Sequence, residues 1–218
     1  MSDIKGIYFR DIEQSHITEM LHEMYKDRIY APFLEDKTNA VVLDAGGNYG
    51  VFSYYAYPYS SKIYALEPCK DHFEVLEHMV KANEMGDKII PINKAVALED
   101  GKASFYHNSN QTANSLKPCM NNFPDQEEQV DTIRLDTLFT QYNIKYVDFM
   151  KLDVEGSECD ILEGQAFANV KDKIGALVVE YHAWSGRNPS QMVTALNDLG
   201  FDVNPIPASA VIFGARHR

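Results

Sequence analysis

Three stretches of the sequence gather residue types that could do chemistry. The first is Val41-Val42-Leu43-Asp44-Ala45-Gly46-Gly47-Asn48-Tyr49-Gly50, an apolar run closed by an acid and a glycine turn. Gly46, Gly47 and Gly50 allow a tight backbone turn and a close approach to a ligand, because no Cβ stands in the way. Amides at the start of the next helix would face a carboxylate or phosphate. A Gly-x-Gly-x-x-Gly dinucleotide fingerprint does not fit, since counting from Gly46 its later glycines fall on Asn48 and Val51. A plain joint between strand and helix is the other reading of these glycines. The second stretch is Glu67-Pro68. An acid about 20 residues beyond such a turn is placed to accept hydrogen bonds from both ribose hydroxyls. Turn and acid together argue for a nucleoside ligand.

The third stretch, Lys151-Leu152-Asp153-Val154-Glu155-Gly156-Ser157-Glu158, runs from an apolar strand into a turn with three carboxylates, Asp153, Glu155 and Glu158. Such a set can bind a metal, hold a cationic cofactor or act as a base. Ser157 and Glu158 also read as a helix start, where acids favour the dipole; that leaves Asp153 unexplained. Glu180 and His182 stand at the end of a later strand. Asp153, Glu155, Glu180 and His182 could together form an oxygen-rich Mg²⁺ site, although the expectation is that no metal is used.

Elements at regular intervals must position these residues. Ile17, Met20, Leu21, Met24 and Tyr25 fall at helical spacing within a leading helical segment, residues 1–38. Strands are expected at Ala40–Leu43, Lys62–Leu66, Ile89–Ala97 (one strand), Gly101–His107 (an edge strand), Asp131–Leu135, Val147–Leu152, Ile174–Tyr181, Phe201–Ile206 and Ala210–Ala215. Helices are expected at Phe73–Asn83, Asp136–Tyr142 and from Pro189, with Asn188 as its N-cap and Pro189 at the first helical position. Residues 108–124, rich in Asn, Ser and Pro, read as a loop long enough to be a lid, with His107 beside it. Alternating strands and helices imply a mostly parallel sheet with helices on both faces. The last two strands, only a few residues apart, must be antiparallel. Without an internal repeat or a linker, residues 1–218 are expected to form one domain. In such a sheet ligands bind at the carboxyl ends of the strands, where Asp44, Glu67, Asp153 and Glu180/His182 all fall.

Composition limits the partners. The 218 residues carry 32 acidic against 20 basic side chains, a net charge of −12. Proteins that track phosphate backbones gather Lys and Arg, and no basic stripe exists here, so nucleic acid is not the expected ligand. No apolar run approaches the ~20 residues of a membrane span, and the beginning has no signal-peptide pattern. Cys69, Cys119 and Cys159 are scattered, which fits a reducing compartment; the expected location is the cytoplasm.

Taken together, the residues resemble the FkbM-type family of S-adenosylmethionine-dependent methyltransferases. The resemblance rests on Leu43-Asp44-Ala45-Gly46-Gly47-Asn48-Tyr49-Gly50, on Glu67-Pro68, on Lys151 to Glu158, which match Lys-x-Asp-x-Glu-Gly-x-Glu in full, and on Glu180-Tyr181-His182 as Glu-x-His. Gly47 stands where the family has alanine. The resemblance implies a Rossmann-like, doubly wound α/β fold of seven strands, mostly parallel, with an antiparallel C-terminal strand. It assigns Asp44 and the turn Gly46, Gly47, Asn48, Gly50 to the methionine part of S-adenosylmethionine, Glu67 with Pro68 to the ribose, Asn93 and Ala95 to the adenine, and Asp153 to the methionine ammonium and the acceptor. The acceptor it implies is a hydroxyl on a sugar (a glycan) or small natural product. Alignment supplies a large part of such a rate, and His182 or Asp153 would be the base, His182 preferred because histidine titrates nearest neutrality. The alternatives are a nicotinamide-dependent oxidoreductase and a nucleoside-binding protein without turnover.

Overall fold

The computed structural model describes residues 14–108, 114–118, 122–205 and 212–217. A leading helix α1 (Gln14–Tyr25) and a short α2 (Ala31–Leu34) precede strand β1 (Ala40–Ala45). Then follow α3 (Val51–Ala56), β2 (Ser60–Leu66), α4 (Lys70–Ala82) and β3 (Ile89–Ile92). Strands β4 (Ala95–Val96), β5 (Gly101–Asn108) and β6 (Asn122–Ile133) come next, then α5 (Leu135–Gln141) and β7 (Phe149–Leu152). The remainder is α6 (Glu158–Glu163), α7 (Gln165–Ala168), β8 (Ala176–Glu180), α8 (Pro189–Asp198), β9 (Phe201–Pro205) and β10 (Ile212–His217).

Seven strands form the main sheet in the order β3-β2-β1-β7-β8-β10-β9. Strands β3, β2, β1, β7 and β8 are parallel, and β10 runs antiparallel to both β8 and β9. This is the expected sheet, with its antiparallel last strand. Asn188 caps α8 as expected, accepting from the Ser190 amide at 2.9 Å, while Gln191 closes a capping box.

The period of two along each strand divides the apolar residues between two cores. Leu43, Leu66, Met150, Leu152, Leu177 and Val179 face α5, α6, α7 and α8. Val42, Ile63, Ala65, Phe149 and Val178 face the other way, against Met24, Phe33, Phe52, Tyr55 and Leu76 of the helices on that side. Tyr30, Phe33, Phe52, Tyr55 and Phe149 make one aromatic cluster there. The tyrosines around residues 54–59 thus serve mainly as packing. The same parity sends Asp44, Lys151 and Glu180 to the face of Val42, Phe149 and Val178. Asp44 and Lys151 are direct register partners.

Two sequence expectations are corrected. Residues 89–97 are not one strand. Chain direction breaks at Asn93, and β4 leaves the main sheet to pair with Thr132 and Ile133 of β6. Pro91 is tolerated in β3 because that strand is the sheet's edge. Nor does the segment after Asn108 stay irregular as far as Pro124. Strand β6 begins at Asn122 and pairs antiparallel with β5, giving a second sheet of order β4-β6-β5. Its polar run, Asp125-Gln126-Glu127-Glu128, hides it from pattern reading, since Phe105, Val130, Ala95 and Cys69 suffice for its small core. Strand β5 is an edge strand, as expected. The expected lid lies partly outside the described residues. Within it, Ser115 pairs with Tyr106 and its hydroxyl donates to the Glu155 carbonyl, so that part of the loop lies against the end of β7. Among the described residues no helix is long and apolar enough to cross a membrane.

Candidate active site

The carboxyl ends of β1, β2, β7 and β8 meet in one cleft, and the glycine turn after β1 forms its floor. The amides of Gly46 and Gly47 both donate to the Leu66 carbonyl, at 3.1 and 2.7 Å. Gly46 has φ +89°, and a Cβ there would lie 1.7 Å from the Asp153 carbonyl oxygen. Only glycine allows the turn to approach β7 so closely. Gly50, at φ +87°, is held against α4, where a Cβ would meet the Met79 and Leu76 side chains. Gly47 differs: its Cβ would find ordinary contacts at 3.4–3.7 Å, so alanine fits.

Beneath this turn lies a buried charge network. Asp44 is fully buried; its Oδ2 accepts from the Ser53 hydroxyl at 2.7 Å, and its Oδ1 lies 3.9 Å from Lys151 Nζ. Burial raises the Asp44 carboxyl to about 6, against the opposing pull of Lys151. Lys151 Nζ donates to the Gly46 carbonyl and to Asp153 Oδ2, each at 2.9 Å. Burial works against the ammonium, but Asp153 and Asp44 outweigh it and hold Lys151 firmly charged. Lys151, matched as part of the motif but given no role by sequence, is therefore the bolt between turn and strand.

Glu67 is 5% exposed and accepts from the Asn48 amide through Oε2 and the Cys69 amide through Oε1, both at 2.8 Å. Burial pushes its carboxyl up to about 7 in spite of these bonds. Asn93 does not line the cleft; its Nδ2 donates to the Glu67 and Pro68 carbonyls at 2.9 and 3.1 Å, fixing the β2 end.

Two cavities open above these residues. The first is lined by Leu66, Glu67, Pro68, Ala95, Phe105 and Leu116, among others. The second lies beneath α1 and is lined by Glu23, Met24, Tyr30, Phe52, Lys151 and Glu180, among others. Gly46, Asn48, Asp153 and Glu155 line both, so the two cavities lie on either side of these residues. Of the sequence-named residues, Glu67, Pro68 and Ala95 line the first and Gly47 the second, while Asp44 and Gly50 lie below. Tyr30, Glu23 and Met24 join the site only through the fold, because a helical pattern says nothing about which sheet end a helix crosses.

His182 occupies the rim among three acids. Its Nδ1 lies 3.0 Å from Glu158 Oε1, and its Nε2 lies 3.1 Å from Glu155 Oε2 and 3.9 Å from Asp153 Oδ1. Burial lowers the imidazole's proton affinity, but the Glu158 bond and the charges of Asp153 and Glu155 raise it to about 10. At neutral pH this side chain is a cation, not the free base that an ordinary histidine would offer. Burial opposes the Asp153 charge, yet Lys151 and His182 keep it below the usual range. Glu155 is raised, first by burial and then by Asp153. Glu180 is raised too, first by the Asp153 charge and then by burial.

A doubly wound sheet closed by an antiparallel strand, with its cleft at the β1 and β2 ends, is a fold this chain shares with solved methyltransferases. Magnesium protoporphyrin IX methyltransferase (ChlM) from Synechocystis PCC 6803, solved with bound SAM, superposes with a TM-score of 0.57 at 10% identity over 95% of this chain and 86% of that one. Methyltransferase FkbM from Methylobacillus flagellatus KT gives 0.53 at 13% identity, over 82% of this chain and 44% of that one. Residues 44–203 match the Methyltransferase FkbM domain, and the chain belongs to that family of enzymes. It is 32% identical to Methyltransferase 1 of Beauveria bassiana (strain ARSEF 2860), over 75% of this chain and 73% of that protein. It is 26% identical to Methyltransferase sdnD of Sordaria araneosa, over 83% and 80%. The nicotinamide alternative falls with this assignment.

Proposed function

We propose that the enzyme transfers a methyl group from S-adenosylmethionine to a hydroxyl of a sugar or small natural product. The observation that carries this reading is the pair of adjacent cavities that share Gly46, Asn48, Asp153 and Glu155 as lining. A cofactor lying across these shared residues would place its nucleoside beside Glu67 and its reacting end toward the cavity under α1. The cleft fits such a group. Glu67 lines the first cavity, where an acceptor for a ribose diol is needed, and Asn48 Oδ1 is buried with no hydrogen-bond partner among the described residues, a position suited to an ammonium donor. When bound, the sulfonium supplies an already activated methyl group.

The chain's own residues then have to orient an acceptor and take its proton. Glu19, Glu23, Asp153, Glu155 and Glu180 against Lys151 line the second cavity. This balance disfavours acceptors bearing carboxylate or phosphate and suits a neutral polyol. Glu180 faces that cavity with raised proton affinity, so it is the better base there than His182. A base whose affinity lies near working pH takes up a hydroxyl proton efficiently as the new bond forms. His182, held as a cation, and Lys151 then balance the carboxylates around it.

The test is calorimetric binding of S-adenosylmethionine, S-adenosylhomocysteine and NAD, followed by S-adenosylhomocysteine release with neutral sugars, glycosides, amines and carboxylates as acceptors. Binding of the two adenosyl compounds and release with a hydroxyl acceptor is the expected result. Binding without release for any acceptor would leave a nucleoside-binding protein and overturn the enzymatic reading of this cleft.

A further inference from the structure

Outside this cleft, a second set of side chains converges where the β5–β6 hairpin meets the start of α4. Cys69 stands at the N-cap of α4, His107 on β5 and Glu128 on β6. The Cys69 sulfur, a His107 ring nitrogen and a Glu128 oxygen all lie within 4.8 Å of one another. Cys69 is buried and the other two are half-buried.

Two details separate this set from an ordinary polar contact. His107 Nε2 lies 3.4 Å from Glu128 Oε1, longer than a good N–H···O bond. Around tetrahedral zinc, nitrogen and oxygen ligands at about 2.1 Å would stand about 3.4 Å apart, and either would stand about 3.6 Å from the sulfur. Glu128 Oε1 is also buried, with no hydrogen-bond partner among the described residues. Such an orphan calls for an explanation, and an unplaced ion is one of the usual ones.

Two neighbouring groups have ligand types but are already satisfied. Glu158 and His182, beside Asp153, bond each other, and Glu158 also accepts from the Val154 and Gly156 amides. Glu67, which with Cys69 and His72 forms a third group, has both oxygens engaged by amides and faces the nucleoside cavity.

We infer that Cys69, His107 and Glu128 bind a zinc-class divalent ion that ties the β5–β6 hairpin to the N-terminus of α4. Mixed sulfur, nitrogen and oxygen ligands select such an ion over magnesium or calcium. The Cys69 thiol releases its proton to solvent as the sulfur–metal bond forms, and water takes the fourth tetrahedral position. Because the Cys69 amide donates to Glu67, the ion also braces the loop that carries the acid facing the nucleoside cavity.

The experiment uses the full chain, stripped with chelator and titrated with cobalt(II), then zinc. One equivalent of cobalt should produce a near-ultraviolet thiolate-to-cobalt charge-transfer band, which zinc displaces. Cys69→Ser should abolish the band, and Glu128→Gln and His107→Gln should each weaken metal binding at least tenfold. His78→Ala, which removes an exposed histidine of α4 outside the cluster, should retain the band. No band in the wild type, a band that survives Cys69→Ser, or unchanged affinity in both hairpin variants would overturn the inference. If Cys69→Ser fails to fold, the half-buried positions 107 and 128 still decide the matter.

Discussion

Replacing Glu67 with Gln probes the nucleoside side of the cleft at nearly constant volume. The wild-type carboxylate already accepts two amides at 2.8 Å. Glutamine offers one acceptor oxygen, and its NH₂ must face either an amide N–H or the ribose. Losing one hydrogen bond to a charged acceptor costs about 1.5–3 kcal/mol, a weakening of about 10- to 150-fold. The second signature is pH dependence. With burial holding the group at about 7, the ionised fraction rises from about 9% at pH 6 to about 91% at pH 8. A ligand recognised by the carboxylate should therefore bind about tenfold tighter at pH 8 and release a proton on binding. Without ligand the same group acts oppositely on stability: the folded state holds its proton longer than the unfolded one, so stability falls as pH rises from about 4.5 to about 7. Calorimetry with methylthioadenosine at pH 6, 7 and 8 avoids titration of a methionine amine. Equal affinity in both proteins, or an unchanged pH slope in Glu67→Gln, would refute the ribose assignment.

Other consequences are equally open to measurement. Glu180→Gln should lower kcat by ~10²–10⁴ while leaving cofactor Kd within twofold; a kcat near wild type would remove Glu180 as the base. His182→Gln leaves the Asp153 and Glu158 carboxylates without their cation and should destabilise the fold by about 3–5 kcal/mol. Because the imidazole is raised from 6.5 to about 10, that loss should be full below pH 6.5 and fade as pH climbs toward 10, which urea titrations across this range can check. Gly46→Ala should lose cofactor binding or fail to fold, since its Cβ would strike the Asp153 carbonyl. Gly47→Ala should instead be neutral or stabilise by about 0.4–1 kcal/mol; a thermal melt showing the two variants alike would contradict the geometry of the turn.

Much of this protein was legible in its sequence. The alternation of strands and helices, the glycine turn, Glu67 at a strand end and the Lys151–Glu158 run are local patterns, and local backbone preferences settle them. Even the Asp44–Lys151 pairing follows from strand parity once two parallel neighbours are known. The small sheet was hidden because β6 is largely polar and wins its hydrogen bonds from β5, a partner beyond any local window. Asn93 was expected beside the adenine; that its Nδ2 is held by the Glu67 and Pro68 carbonyls just beyond β2 is a tertiary contact no local pattern announces. The protonation of His182 depends on Glu155, Glu158 and Asp153, which approach it from a different strand end. What the sequence determined by itself was therefore which residues stand at the carboxyl ends of the strands, because hydrophobic periodicity sets that register. What only the tertiary structure decided was which of them are charged and which face open space, because burial and neighbouring charge come from chain segments far apart in sequence.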